Sequence, residues 1–261
     1  MRCLTFLSDF GSASPYPAAM KGAAAGICDA VLIDISHDVT PGSIREGAYL
    51  LWSVAPVYPP GTVHCAVIDP GVGTERAALA VASGGQILVG PDNGVLLPAA
   101  RRLGLPEVYR LNEPAFWRHP VSATFHGRDV FAPTAAHLVS GTPVSAVGMP
   151  TTTYVDLALP IGRGDGRALM GEVLWVDRFG NLVTSIPGPL LSELSPRAGV
   201  VVEAASAALE AVPARAFGDV ASGRALVFVG SDGMVEVAVN RGSAARVLAA
   251  AVGMALRIRP A

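Results

Sequence analysis

The chain has 261 residues, 51% of them hydrophobic and 15% charged, with a mean hydropathy of +0.46, enough to bury a large core as one α/β domain or as two domains. Its net charge of −2 comes from 19 basic residues scattered singly among 21 acidic ones, which leaves no basic stripe to neutralise a phosphate backbone and argues against nucleic acid as a partner. The longest apolar stretch near the end, Val247 to Leu256, falls far short of the ~20 residues of a membrane span, so the apolar excess points instead to surface buried between subunits.

The N-terminal MRCLTFLSDFGS reads as a first strand: Asp9 interrupts the apolar run before a signal-peptide core forms, and no small-residue cleavage site follows. Cys3, Cys28 and Cys65 are odd in number and widely spaced, a pattern that favours neither a disulfide framework nor a zinc site and points to a reducing cytoplasm. Strand-type runs at CLTFLSDF, VLIDIS, TVHCAVID, ALAVA and QILVG alternate with helical stretches at 18–25 and 43–55, which predicts an α/β sheet. Turn chemistry in SDFGS, DPGVG and GPDNG places Asp9, Asp69 and Asp92 at strand exits, where open α/β sheets bind ligands. The polar loop TFHGRDVFAP then leads into a helix at 134–140. RGDG at 163–166 reads as a linker, dividing the chain into an N-terminal α/β sheet domain at 1–160 and a smaller C-terminal β-barrel-like domain at 161–261. The strands expected in the latter are LMGEVLWVD, LVTSI, GVVVEA and the hairpin ALVFV–MVEVAV turning at SDG.

Five stretches carry candidate chemistry. In LSDFGS, Asp9 is a short rigid acceptor suited to the two hydroxyls of a ribose, or else a turn and helix-cap residue. In VIDPGVGTER, two glycines and a proline fix a loop that brings Asp69 and Arg76 together. A phosphate loop is rejected there, because the third glycine and the lysine are missing. A surface ion pair worth at most ~1 kcal/mol is the bland alternative. In TFHGRDVFAP, His126 stands out from His37, His64, His119 and His137, which take the structural default, because Arg128 and Asp129 adjoin it between aromatic residues. VDRFGNLVTSI offers Asp177, Phe179 and Asn181, parts able to hold an ammonium and an adenine edge. GSDGMVEVAVNRGSAA offers Ser231 and the backbone from Val239 to Arg241, or simply a hairpin turn and a helix cap.

Taken together, these stretches, with MKG, DISHDVTP, EGAYLL and GPDNGVL in the same order, closely resemble the S-adenosyl-L-methionine hydroxide adenosyltransferase family, relatives of the fluorinases and chlorinases. The resemblance runs through nearly the whole chain. It implies a homotrimer in which the ligand lies between the large domain of one subunit and the small domain of the next. It also implies hydrolysis of S-adenosyl-L-methionine, as substrate rather than cofactor, to adenosine and L-methionine, with no cofactor and no metal. The triad carried over is Asp69, Arg76 and His126. Asp9 would take the ribose, Asp177 and Ser231 the methionine end, and Asn181 with the Val239 to Arg241 backbone the adenine, beside Phe179. Ser14, where relatives often have Asp, and Asp232, where fluorinases have Arg, depart from the pattern at the methionine end. Halogenating relatives have Tyr in place of Asp69, lack the histidine, and carry Ser where Gly127 stands. Halide transfer to the same carbon and non-catalytic binding of the same ligand are the alternatives. Because the sulfonium leaves as a neutral thioether, turnover in the presence of a chelator is expected.

Overall fold

The computed structural model describes residues 2–194 and 199–261, which form two compact units, one ending at Ala158 and one beginning at Leu159. The first contains β1 (Cys3–Ser8), α1 (Tyr16–Ala25), β2 (Val31–Ser36), α2 (Ile44–Val54), β3 (Val63–Val67), β4 (Ala78–Ser83), β5 (Gln86–Pro91), α3 (Leu97–Leu103), β6 (Glu107–Leu111), α4 (Ala132–Val139), α5 (Val144–Val147) and β7 (Gly148–Pro150). Its seven strands make one sheet in the order β2-β1-β3-β5-β4-β6-β7. The β2-β1-β3-β5 half is parallel and the remainder antiparallel. Every residue of β1 and β3 is buried, as central parallel strands covered on both faces require. Against this half lies α4, whose Ala132, Ala135 and Ala136 join Leu4, Phe6, Val63, Val89 and Phe131 in the core. Alanine lets the helix approach the sheet closely, and Pro133, with no N–H to give the turn before it, leaves Asp129 O to accept the Arg118 amide at 2.7 Å.

The second unit contains β8 (Arg163–Gly164), β9 (Leu169–Val176), β10 (Leu182–Pro187), α6 (Gly188–Glu193), β11 (Val200–Ala204), β12 (Ala207–Pro213), β13 (Ala225–Val229), β14 (Met234–Val239), α7 (Ala244–Val247) and β15 (Ala255–Pro260). Strands run β10-β14-β13-β12-β11-β15-β9, and pairing of β9 with β10 closes the ring into a seven-stranded barrel. Closure removes the exposed edges that an open sheet would leave. Alternation along β11 and β14 turns Val200, Val202, Val235 and Val237 into the core. Outward-facing Glu203 meets Arg257 and Arg259 of β15, the latter at 2.8 Å. The RGDG stretch read as a linker is instead part of this unit, since Arg163 and Gly164 pair with β9 and the Gly162 amide donates to Ser185 O. Among the described residues no helix is long and apolar enough to cross a membrane.

Candidate active site

In the first unit, β1 and β3 are adjacent and parallel, with Ser8 in register with Val67. The loops that leave them, carrying Asp9 and Asp69, therefore rise from one carboxyl edge. This is also where the sheet changes direction: β1 leads through α1 to β2 on one side, and β2 leads through α2 to β3 on the other. Such a switch point opens a crevice at the strand ends, where α/β proteins bind ligands.

Local turns then fold the Asp69 loop back on itself. The Val72 amide donates to Asp69 O, the Thr74 amide to Gly71 O, and the Thr74 hydroxyl to the same Gly71 carbonyl at 2.7 Å. Gly73 has φ +80°, and a Cβ there would lie 2.8 Å from Ala123 O. Only glycine allows both the left-handed turn and this approach to the segment that carries His126. Below the loop, the Asn93 side chain donates to Ile68 O at 2.8 Å and pins the backbone entering Asp69.

His126 precedes a single π-helical turn, Gly127–Phe131, a widened geometry that recurs at functional sites. Fully buried Asp129 anchors that turn, accepting Arg128 Nε at 2.7 Å, the Ser122 amide at 2.9 Å and Arg118 Nη1 at 3.2 Å. Burial opposes its ionisation, but Arg128, the Ser122 amide and Arg118 outweigh burial and hold its carboxyl below the usual range.

Arg76 joins the two loops. Its Nε donates to Asp69 Oδ1 at 2.9 Å and its Nη2 to Asp69 Oδ2, a bidentate pair, while the same Nη2 donates to His126 Nδ1 at 2.8 Å. The Asp69 side chain is 4% exposed and that of Arg76 11%, so this is not the surface ion pair of the bland reading. Arginine has no acceptor. His126 Nδ1 must therefore present its lone pair, which leaves the neutral ring's proton on Nε2. Burial first, and the Arg76 charge second, push the imidazole pKa below its ordinary 6.5.

The Asp9 loop reaches the same place. Asp9 Oδ2 accepts the Gly42 amide at 2.7 Å, and a Cβ on Gly42 would sit 4.0 Å from the Pro70 side chain, next to Asp69. Phe10 packs edge-on against Phe125, with ring centroids 5.8 Å apart. Ser14 lies elsewhere: its buried hydroxyl has no partner, and it lines a separate hollow of about 390 Å³ with Lys21, Asp34 and Asp38 that no triad residue lines.

In the second unit, Phe179, Asn181, Val239 and Arg241 converge on one pocket of about 730 Å³. Phe217, Ser243, Arg246 and Val247 line it too and were not singled out from sequence. Phe217 sits alone in an alanine-rich stretch, and an isolated aromatic there was the available signal. Phe179 is 77% exposed and Phe217 40%, two aromatic faces open for a flat apolar ligand. Asp177 and Ser231 do not line the pocket. Asp177 Oδ1 accepts the Phe179 and Asn181 amides, each at 2.8 Å, and its Oδ2 accepts Asn181 Nδ2 at 2.7 Å. With its NH2 committed to that carboxylate, Asn181 keeps its carbonyl oxygen as an acceptor. Ser231 is exposed in the β13–β14 turn. Beside that turn, burial and the charges of Asp232 and Asp177 push Glu236 up to about 7. No group of three or more His, Cys, Asp or Glu side chains able to hold a metal occurs among the described residues.

Fold and site thus define an α/β protein with an Asp–Arg–His cluster at its sheet's switch point and a β-barrel companion carrying an aromatic-faced pocket. Residues 4–148 match the SAM hydroxide adenosyltransferase N-terminal domain, and residues 171–257 match the C-terminal domain of the same family. The chain belongs to the SAM hydroxide adenosyltransferase family. It is 44% identical, over 98% of its length and 97% of the relative's, to a protein named (R)-S-adenosyl-L-methionine hydrolase from Salinispora tropica. A protein of the same name from Thermus thermophilus is 42% identical, over 99% of this chain and all of the relative. A fluorinase from Actinoplanes is 28% identical over 70% of the chain and 71% of its own. Among solved structures, an uncharacterized conserved protein from Thermotoga maritima superposes with a TM-score of 0.93 at 38% identity, covering 98% of this chain and 99% of that one.

Proposed function

We propose that this protein hydrolyses S-adenosyl-L-methionine to adenosine and L-methionine. The observation that carries this reading is the guanidinium of Arg76, held flat by Asp69 and sharing one nitrogen with His126, at a strand-end crevice in a chain whose near full-length relatives bear the hydrolase name. In the reaction, water oxygen attacks the ribose methylene and the carbon–sulfur bond breaks with its electron pair going to sulfur. As it attacks, the oxygen gives one proton to solvent water, leaving adenosine and the neutral thioether of methionine. The leaving group needs no acid, so the protein's task is to align the nucleophile and stabilise it as the proton departs.

A histidine here can take the water's proton as a base or donate to the oxygen, and the hydrogen bond from Arg76 to Nδ1 favours the second role for His126. Its Nδ1 already accepts from Arg76, and an imidazolium would set N–H against N–H. His126 therefore acts as a neutral donor through Nε2–H, and with Arg76 steadies a hydroxide-like oxygen, while Asp69 fixes Arg76 and offers its unused lone pairs to the water. Asp9, with Oδ2 on Gly42, takes the ribose hydroxyls through Oδ1. The barrel pocket takes the adenine between Phe179 and Phe217, with the Asn181 carbonyl oxygen accepting from its amino group and the Val239 to Arg241 backbone completing its edge. Asp177 and Ser231 serve the methionine ammonium and carboxylate end, and Ser14 is a more distant contributor. The homotrimer that the family resemblance implies is part of this proposal.

Halide transfer is disfavoured. Asp69 repels an anion, and a side chain at Gly127 in place of glycine would meet Met20 Sδ at 3.2 Å and the Phe10 ring at 3.3 Å. Chromatography of the protein incubated with S-adenosyl-L-methionine, with and without chloride or fluoride, tests the reading. Adenosine and methionine in equal amounts support it. A halogenated nucleoside, or tight binding without product, replaces it with halide transfer or with a non-catalytic sensor.

A further inference from the structure

A second polar chain runs behind the Asp9 turn, built from residues that the proposed reaction does not use. Lys21 Nζ donates to Asp34 Oδ2 at 2.7 Å, His37 Nε2 lies 3.1 Å from Asp34 Oδ1, and His37 Nδ1 lies 2.7 Å from Ser8 Oγ. Ser8 is wholly buried and His37 is 5% exposed, so the Ser8–His37 link replaces water that these two groups have lost. The order of donors is fixed by chemistry. Asp34, held below its usual carboxylate range by Lys21 and His37 despite the opposing effect of burial, is an acceptor, so Nε2 carries the proton. In the neutral ring Nδ1 then accepts the Ser8 hydroxyl, and the Ser8 oxygen receives the Phe10 amide at 3.4 Å.

The same short segment also holds the far side of the turn. His37 O accepts the Gly11 amide at 2.7 Å, while Asp38 Oδ1 accepts the Ser12 amide at 2.8 Å and its Oδ2 the Ser12 hydroxyl at 2.7 Å. Ser8 before Asp9, and Gly11 and Ser12 after it, are thereby clamped onto β2's exit, and Gly42, five residues beyond His37, binds the Asp9 carboxylate itself. We propose that Ser8 and His37 are positioning residues that set the Asp9 carboxylate for the ribose hydroxyls, an inference that rests on the ribose role given to Asp9 above. The serine, histidine and aspartate are not a hydrolytic triad. Their hydrogen-bond order is that of such a triad, but the Ser8 oxygen is wholly buried and sealed from any substrate.

The test compares kcat and KM for S-adenosyl-L-methionine and its 2′-deoxy analogue in Asp9→Ala, Ser8→Ala and the double variant, alongside His37→Leu and His37→Asn. Melting curves confirm which variants fold. Misplacing a binding group by a fraction of an ångström to an ångström is expected to cost about tenfold or more in kcat/KM. The Ser8→Ala loss should shrink on the deoxy analogue, which keeps one of the two hydroxyls, and nearly vanish in the Asp9→Ala background. His37→Leu should mimic Ser8→Ala, whereas His37→Asn, whose amide oxygen offers Ser8 an acceptor, should recover much of the activity. A Ser8→Ala loss of equal size on both substrates and in both backgrounds would overturn the proposal and leave Ser8 as a fold residue only. If Asp9→Ala itself fails to distinguish the two substrates, the ribose reading falls and this proposal with it. If Asp9→Ala discriminates and Ser8→Ala does not, the positioning role alone fails.

Discussion

Replacing His126 by alanine and by glutamine separates the two roles an active-site histidine can play. In the structure its Nδ1 accepts from Arg76 Nη2 at 2.8 Å, which leaves Nε2–H as the group offered to the nucleophile. Deleting one donor to a developing oxyanion costs about 10²–10³ in kcat, or roughly 2.7–4 kcal/mol, and His126→Ala should fall in that range with KM little changed. Glutamine supplies an N–H donor but takes no proton at neutral pH. If His126 is a donor, His126→Gln should recover at least about tenfold over alanine, roughly 1.4 kcal/mol of transition-state stabilisation. The assay is initial-rate release of adenosine by chromatography, with kcat and KM determined from about pH 5 to 8. Wild-type turnover should be level above the ordinary imidazole value and fall in acid, at a pH below 6.5 because burial and Arg76 lower that group's pKa. His126→Gln should lose this acid limb. A glutamine variant as slow as alanine would refute the donor role and restore the histidine as the base.

Other expectations follow from the supports of the site. Asp129→Ala leaves the Ser122 amide without its acceptor and two partly exposed arginines without their partner, and should lower stability by about 1–3 kcal/mol, with turnover falling as the His126 segment loosens; denaturant midpoints and kcat read both. Gly73→Val forces a β-branched side chain into φ +80° against Ala123 O and should cost about 1–3 kcal/mol, seen as a lower melting temperature together with reduced kcat. Buried His64 accepts from Thr5 and donates to Gln86, and burial lowers its pKa. The folded state keeps it neutral while the unfolded chain takes a proton at about 6.5. Its contribution to stability is therefore full above about pH 6.5 and is lost as pH falls through the lower folded value. Urea midpoints of the wild type should drop more steeply below that pH than those of His64→Gln, and equal slopes would contradict the assignment.

Much of the site was legible because its residues are contiguous with turn signals. The strand-type CLTFLS run followed by Asp-Phe-Gly, and the Asp-Pro-Gly after TVHCAVI, mark adjacent strand exits, and the structure brings Asp9, Asp69 and Arg76 to that edge. His64 is buried in a Thr5–Gln86 network, in keeping with its structural default. Long-range pairing was not legible. Antiparallel β6 and β7, with an exposed Glu107 and an exposed Met149, lack a clean alternation, and the barrel closes only because distant strands meet, β15 on β9 and β14 on β10, around the local β9–β10 hairpin. RGDG carries every turn signal, yet it hydrogen-bonds into the barrel because flanking Gly162 packs directly on Ile186, where a Cβ would lie 2.8 Å away. Nor does any spacing reveal that Asp177 spends its oxygens on Asn181 and Phe179, or that Ser8 and His37, 29 positions apart, share a proton.

The most direct test of the account follows the oxygen itself. Turnover of S-adenosyl-L-methionine in water enriched in heavy oxygen, with the products separated and weighed by mass spectrometry, should place one heavy oxygen in adenosine and none in methionine. Adenosine without the label, or label in the amino-acid product, would contradict attack by water at the ribose carbon and with it the role given to Asp69, Arg76 and His126.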